Sequence, residues 1–561
     1  MFVRLAPAAT LLLLCGPIVA GLMGTLLPAL GYLPAIGRSQ LSLDPWRELG
    51  STPGLSRSIG VSLLVGFGAT LISLAATVLL AATSHGTLIF KLIRRSLSPI
   101  LAIPHVAVAV GLAFVIAPSG LLFRLWGSYL GGPVLPPDLL IVNDTWGLSL
   151  ITALVLKEIP FLFLMVLAAL PQVDADRSLA LARTLGYSRI ASWLKVVLPR
   201  VYPQIRLPVL AVLAYSLSVV DMALVLGPTT PPTLPVQLLK WINDPDLAFR
   251  FRASAGALLQ LALVGASILL WLVTERLLAR IAQPWVEAGG RTCADRLVRL
   301  IAGALGLAIL LLIVSAIASI VLWSFAEAWR FPNPLPASFT LANWRGESAH
   351  ALALLANSFW IAGGSAVIAL MLVIGCLENE VRRGRDRWEM KTLWLLYIPL
   401  LVPQIAFLLG LQILLIQANW DETLPAVLLT HLIFVLPYVF LSLAEPWRAF
   451  DNRYRQVALT LGASPLRVLI AVRLPMLLRA CLVAVALGFA VSIAQYLATQ
   501  LVAGARWPTI TTEAIAVSSG GNRRILAIYA LLQMLLPFAA FVVATLLPNL
   551  LFRNRRGMGH L

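Results

Sequence analysis

Lys157 and Glu158 stand side by side in VLKEIPFL, Asp221 in LSVVDMALVLG and Gln495 in VSIAQYLATQL, each inside a run of apolar residues. A charged group at the centre of a lipid-exposed helix costs about 2.5–3.5 kcal/mol, so such groups turn inward, towards a partner or a water-filled path. The chemistry open to them is solute or ion coordination and proton relay. Ser218 and Ser492 precede Asp221 and Gln495 by three residues each, which adds a hydroxyl one helical turn away. Asp221, Gln495, Ser218, Ser492, Glu158 and Lys157 are therefore the candidate translocation path. The plainer reading makes them interhelical hydrogen bonds that fix packing. It suits Lys157 and Glu158 better, because adjacent residues face different ways on a helix. It also suits His105, next to Pro104. Tyr215 and Tyr496 are nearby polar-tipped aromatics. No clustering of Tyr, His and carboxylates is visible in the spans, so no metal site is expected.

The elements that position these groups are membrane spans. Of 561 residues, 60% are hydrophobic and 12% charged, against about a quarter charged in a soluble domain. Apolar runs of about 20 residues, enough to cross ~30 Å of hydrocarbon, recur at about 7–31, 58–83, 97–118, 147–170, 207–227, 254–279, 300–325, 358–377, 392–415, 424–444, 479–500 and 525–552. The runs are continuous rather than alternating, which excludes a barrel. The expected fold is an all-α integral membrane protein of about twelve transmembrane helices. The first run is read as an uncleaved helix rather than a signal peptide, from its length and the many spans that follow. The net charge of +18 reads as the positive-inside bias, not as nucleic-acid binding. With both termini inside, 29 Lys and Arg fall on the inner side and 12 on the outer, with Lys157 between them. Cys15, Cys293, Cys376 and Cys481 are too scattered for a disulfide framework or a zinc site.

The chain repeats itself. Residues 182–199 read ARTLGYSRIASWLKVVLP and residues 458–475 read ALTLGASPLRVLIAVRLP. At an offset of 276, nine of the 23 positions from 177 to 199 are identical: Arg177/Arg453, Ala182/Ala458, Thr184/Thr460, Leu185/Leu461, Gly186/Gly462, Ser188/Ser464, Val196/Val472, Leu198/Leu474 and Pro199/Pro475. A second offset, 299, links Pro104, Gly111 and Leu112 to Pro403, Gly410 and Leu411. The chain thus divides into a half at 1–279, an inner linker at 280–299 and a half at 300–561, arranged as parallel repeats. Each repeated loop, 174–200 and 450–476, reads as helix, turn, helix. Asp176 and Asn452 are the expected N-caps. Gly186 and Gly462 stop the first helix in the left-handed conformation. Ser188 and Ser464 cap the next, and Leu198-Pro199 and Leu474-Pro475 end it. A short, capped, basic helix projecting from a membrane is a docking knob.

The paired phrase resembles the EAA loop of binding-protein-dependent ABC importer permeases: EAA, three residues, Gly, then Leu-Pro about a dozen residues on. The whole chain is similar to the fused two-half permeases of iron(III), thiamine and related importers. The resemblance implies the type I importer architecture, with two parallel six-helix repeats. It implies two copies of a cytoplasmic ABC ATPase gripping the two loops, with ATP and magnesium held by that subunit and no cofactor on this chain. It also implies a periplasmic binding protein that delivers the solute, and an inner-membrane location. The family's Glu is replaced by Ala180 in one loop and Gln456 in the other, which removes a possible ion pair but leaves the Gly turn and the Leu-Pro step. No GxxxxGK[ST] phosphate loop occurs, so ATP hydrolysis belongs to another subunit and the chain itself is not expected to be an enzyme. The rival reading is an ion-gradient-driven secondary transporter using Asp221 and Glu158. It gives no reason for two equal Gly-to-Pro loops.

Overall fold

The computed structural model describes residues 2–88, 90–91, 93, 100–292, 295–383 and 390–552, with the side chains of Phe2 and 390–394 left aside. Cys293, the start of the third expected span at 97–99, and several counted cations (Arg94, Arg95, Arg385, Arg387 and those after 552) lie outside these residues. In chain order the helices that matter are α1 (Phe2–Ala29), α2 (Leu55–Ser84), α3 (His105–Ile116), α4 (Leu148–Ala169), α5 (Ala175–Thr184), α6 (Leu198–Ser218), α7 (Asp221–Leu226), α8 (Phe249–Glu287), α9 (Asp295–Phe325), α10 (Ala342–Arg382), α11 (Met390–Leu401), α12 (Gln404–Gln417), α13 (Leu424–Arg448), α14 (Asn452–Thr460), α15 (Leu478–Ile493), α16 (Leu497–Val502) and α17 (Arg523–Leu551). The longest strand pairing, β1 (Ala326–Ala328) with β2 (Ser338–Phe339), ties down the loop after α9. Among the described residues, ten helical stretches are long and apolar enough to cross a membrane, or twelve when two bent pairs count as one span each.

The bends have local causes. Pro104 and Pro403 are extended and stand at the N-caps of α3 and α12. A proline pushes the residue before it out of the helical region, so each starts a new helix rather than lying within one. The segment Leu395–Leu401 meets α12 at 95°. Two further expected spans do not run through as single helices. The fifth, expected at 207–227, is helical from Arg189 to Ser218, breaks at Val219–Val220 and resumes as α7. The eleventh, expected at 479–500, stops at Ile493 and resumes as α16. The expected linker at 280–299 is largely helical: α8 runs to Glu287 and α9 starts at Asp295.

The first helix of each repeat packs across the molecule. α1 lies along α12 and also touches α10 and α13, while α9 lies along α3 and α17. Small residues permit the closeness. A Cβ on Gly24 would sit 2.6 Å from the carbonyl oxygen of Gly410, and one on Gly111 would sit 2.9 Å from the Cβ of Ala316. With no hydrophobic drive between helices in lipid, such backbone approach and the hydrogen bonds it allows hold the spans together. Thr25 supplies two: its Oγ1 donates to Ala406 O at 2.8 Å and accepts from Gly410 N at 3.0 Å. The glycines repeated at offset 299 are thus crossing points for the exchanged helices.

Candidate functional site: the paired loops and an intramembrane polar cluster

Both loops fold as helix, turn, helix. Gly186 and Gly462 have φ of 82° and 80°, the left-handed conformation a side chain tolerates poorly. The Ser caps form: Ser188 Oγ accepts from Ala191 N, and Ser464 Oγ from Arg467 N. A π-helical turn follows in each, at Trp193–Val197 and Leu469–Arg473, again at an offset of 276.

Three local expectations need correction. Asp176 is not an N-cap: α5 starts at Ala175 behind a left-handed Asp174 that makes no side-chain cap. The Asp176 carboxylate lies instead 2.9 Å from His85 Nε2. Asn452 is the first helical residue of α14, and the cap is Asp451, whose Oδ1 accepts from Arg453 N at 2.9 Å. Leu198-Pro199 does not end the helix. The π turn is followed directly by α6, where Pro199 occupies the first turn, the position at which its missing N–H costs least. In the second loop Leu474-Pro475 does precede a break, and the chain bends by 77° at Leu477 into α15.

The two loops are held differently. Ser188 N donates to Arg291 O at 2.7 Å, Ser188 Oγ to Asp295 Oδ1 at 2.8 Å, and Lys195 Nζ to Ala288 O at 2.8 Å. Ala288, Arg291 and Asp295 therefore clamp the first loop, and Ala175, Leu179 and Ala182 of α5 are buried. Arg177 and Gly186 stay exposed. In the second loop no residue of α14 is buried. Arg453, Tyr454, Val457, Ala458, Leu461 and Val472, with Asp451, line a concave surface of about 550 Å³, and Leu461 is 82% exposed. This loop is fixed from below by Arg473, which donates to Glu378 Oε2 at 3.2 Å and to Trp447 O at 2.8 Å. Ala180 and Gln456, where the related loops carry Glu, are both exposed.

Deeper in the protein, Lys157 Nζ donates to Leu101 O at 3.0 Å and Ile103 O at 2.5 Å. Pro104 stops the preceding helix and frees these carbonyls, and the ammonium takes the place that cations favour at a helix C-terminus. Ser218 Oγ folds back on Ala214 O at 2.6 Å. Ser492 Oγ lies 2.7 Å from His431 Nδ1 and 3.2 Å from Ser365 Oγ. Lys157, Ser218 and Ser492 are thus held in packing. Asp221 is the first residue of α7 and its Oδ1 accepts one long hydrogen bond, 3.5 Å, from Tyr215 Oη. Glu158 is 6% exposed and close enough to Lys157 to interact with its ammonium. It is close enough to interact electrostatically with Tyr215 and Tyr438, as Asp221 is with Tyr496. The His105 ring packs on Tyr215, centroids 5.0 Å apart. Gln495 lies in the helix break, partly exposed. Tyr215 thus meets both His105 and Asp221, while no three His, Cys, Asp or Glu converge among the described residues. The residues come from separate helices, so no spacing in the sequence announces them.

Other participants had a readable signal. At the fifth-span break Gln260 Nε2 donates to Leu217 O at 3.0 Å. At the eleventh, Gln533 Nε2 donates to Thr511 Oγ1 at 2.8 Å, and Thr511 holds Ile493 O. Both glutamines end an identical ALLQ tetrapeptide, 257–260 and 530–533, a repeat at offset 273. His431, bridging Ser492 and Thr499, has no such counterpart.

Ten to twelve apolar helices among the described residues, with paired loop helices and a polar cluster, define a polytopic membrane protein. No protein-family model matches the chain, but individual proteins do. It is 32% identical over 528 residues to the inner membrane ABC transporter permease protein YnjC of Escherichia coli (strain K12), which covers 92% of this chain and 93% of YnjC. It is 25% identical over 410 residues to the probable ABC transporter permease protein y4fN of Sinorhizobium fredii, 70% and 69% of the two chains. A third match, to the spermidine/putrescine transport system permease protein PotC of Haemophilus influenzae, is 25% identical over 191 residues, 74% of PotC and 34% of this chain. The chain belongs to the ABC transporter inner-membrane permeases. It is a multi-pass inner-membrane transport component rather than an enzyme, and that family implies an ATPase and a binding protein as its partners.

Proposed function

We propose that this chain is the complete transmembrane path of an importer, its halves at 1–279 and 300–561 joined by 280–299 and moving a small solute inward by alternating access. Two copies of a separate ATPase, each carrying its own ATP and magnesium, grip α5 and α14. A periplasmic binding protein brings the solute, and both termini face the cytoplasm. The observation that carries this reading is the pair of loop helices. Each stops on a left-handed glycine 13 residues before a proline, and each presents exposed apolar side chains, Leu181 and Leu185 in one and Val457 and Leu461 in the other. The solute class is iron(III), thiamine or a related small molecule. Relatives named for putrescine and spermidine/putrescine add small amines to that class.

The test is reconstitution in proteoliposomes with an ABC ATPase and a periplasmic binding protein from the same organism, read as solute uptake. Uptake that needs ATP, and persists when ion gradients are collapsed, is the expected result. Uptake by this chain with no ATPase present, driven by a proton or sodium gradient, overturns the reading in favour of a secondary transporter.

A further inference from the structure

Each loop carries a buried cation in its π turn, and the two are seated alike. Lys195 Nζ donates to Ala288 O at 2.8 Å and lies 4.7 Å from the centroid of the Trp285 ring. The Arg473 guanidinium donates to Trp447 O at 2.8 Å, and its carbon lies 4.5 Å from the Trp447 ring centroid. Trp285 and Ala288 stand at the C-terminal end of α8, and Trp447 in the last turn of α13. Free carbonyls and the helix dipole favour a cation at such an end. Arg473 also reaches Glu378 on α10. Lys195 and Arg473 are 7% and 3% exposed. The π turn itself does not require them: at offset 276 the partner of Lys195 is Ala471, and that of Arg473 is Val197. An apolar side chain at either position would avoid the cost of burying a charge. The same seat is thus reached from two positions that the repeat does not align.

We infer that Lys195 and Arg473 are positioning residues for coupling: each joins one loop to the C-terminal end of a spanning helix, so that loop and helix move together. This rests on the importer reading, in which a separate ATPase displaces α5 and α14. A π turn interrupts the regular hydrogen-bond ladder of a helix, so a push on the loop helix can be taken up there without reaching the membrane. The cation bridges that turn. Its charge-assisted hydrogen bond fixes direction, and the indole face holds it at a set distance. In the first half the joint leads to α8. In the second it leads to α13 and, through Glu378, to α10. Those two helices are themselves tied by Arg448, which donates to Glu380 at 2.9 Å and 3.2 Å. The second joint therefore takes hold of two spanning helices.

The test uses the full chain in proteoliposomes with an ABC ATPase and a periplasmic binding protein from the same organism, and reads solute imported per ATP hydrolysed. Lys195→Met and Arg473→Met keep the length of the side chain and remove its charge. Each should lower that ratio about tenfold, the worth of one charge-assisted hydrogen bond, while the ATPase still binds and hydrolyses ATP. Lys195→Arg, which keeps a cation for the carbonyl and the ring, should stay within about threefold of the parent. Trp285→Leu, which removes the ring and leaves the carbonyl, should fall between the two. Should Arg473→Met not fold, because Glu378 then loses a partner, Lys195→Met, Lys195→Arg and Trp285→Leu decide. The inference is overturned if the charge-free variants keep the parent's ratio, or if Lys195→Arg fails as Lys195→Met does. Uptake and hydrolysis that fall together, in step with the yield of folded protein, mark a purely structural role and overturn it too. Failure of the importer reading shows in the parent, as uptake with no ATPase present, whereas failure of this inference shows only in the variants.

Discussion

A Cβ on Gly410 would lie 1.9 Å from the carbonyl oxygen of Gly21, although the two residues belong to opposite ends of the chain. α1 and α12 are in backbone contact there, and no side chain larger than hydrogen fits at either position. Gly410→Ala is expected to force the helices apart and to cost the Thr25 hydrogen bonds as well. The measured outcome is a fall in the yield of monodisperse protein and in its thermal midpoint in detergent. Gly37→Ala, in open space but at φ 81°, is the control for backbone strain alone. A Gly410→Ala protein as stable as the parent would contradict the crossing.

The loop turns call for a different readout. Placing Val at Gly186 or Gly462 puts a β-branched side chain into the left-handed region, at a cost of about 1–2 kcal/mol, too little to unfold the protein. It is enough to rotate the exposed helix relative to its π turn. Membrane insertion is expected to survive, and ATP hydrolysis by the partner should no longer drive uptake. Normal coupled uptake in both variants would count against the loops as levers.

The clamp on the first loop predicts an asymmetry. Asp295 accepts from Ser188 Oγ, and no described residue reaches Ser464 in the same way. Asp295→Ala should raise amide hydrogen exchange across 175–190 and leave 452–464 unchanged. Equal change in both loops, or none in the first, would show that the clamp does not hold α5.

Gln260 and Gln533 satisfy carbonyls that the two helix breaks leave open, one directly and one through Thr511. Replacing Gln260 with Leu leaves the Leu217 carbonyl unmet, at about 1–3 kcal/mol. Denaturation of Gln260→Leu should show the larger loss, because in Gln533→Leu the Thr511 hydroxyl still reaches Ile493 O. Indistinguishable stabilities would remove the distinction drawn here between direct and relayed caps.

Much of this was legible in the residues. Long apolar runs give spans because lipid offers no partner for backbone groups. Gly186 and Gly462 announced left-handed turns, and Ser188 and Ser464 announced caps, because those features depend on a few neighbouring residues. The misplaced caps at Asp176 and Asn452 missed by one or two residues, the scale on which a side chain's choice between its own helix end and a neighbour such as His85 is decided by packing. Leu198-Pro199 and Leu474-Pro475 are the same dipeptide after the same π turn, yet one continues and one bends.

The amino-acid order by itself determined the class of molecule: an all-α membrane protein of many apolar spans, with a Gly-to-Pro loop phrase that occurs twice. These follow from hydropathy, periodicity and turn chemistry, which are local. Only the tertiary structure decided that α1 and α9 change places, that Lys157 caps a helix beside Glu158, and that four helices, α4, α6, α7 and α13, bring Glu158, Tyr215, Asp221 and Tyr438 near one another. Those depend on contacts between residues hundreds of positions apart, where the cost of leaving a polar group unpaired in lipid is settled by whichever helix comes alongside.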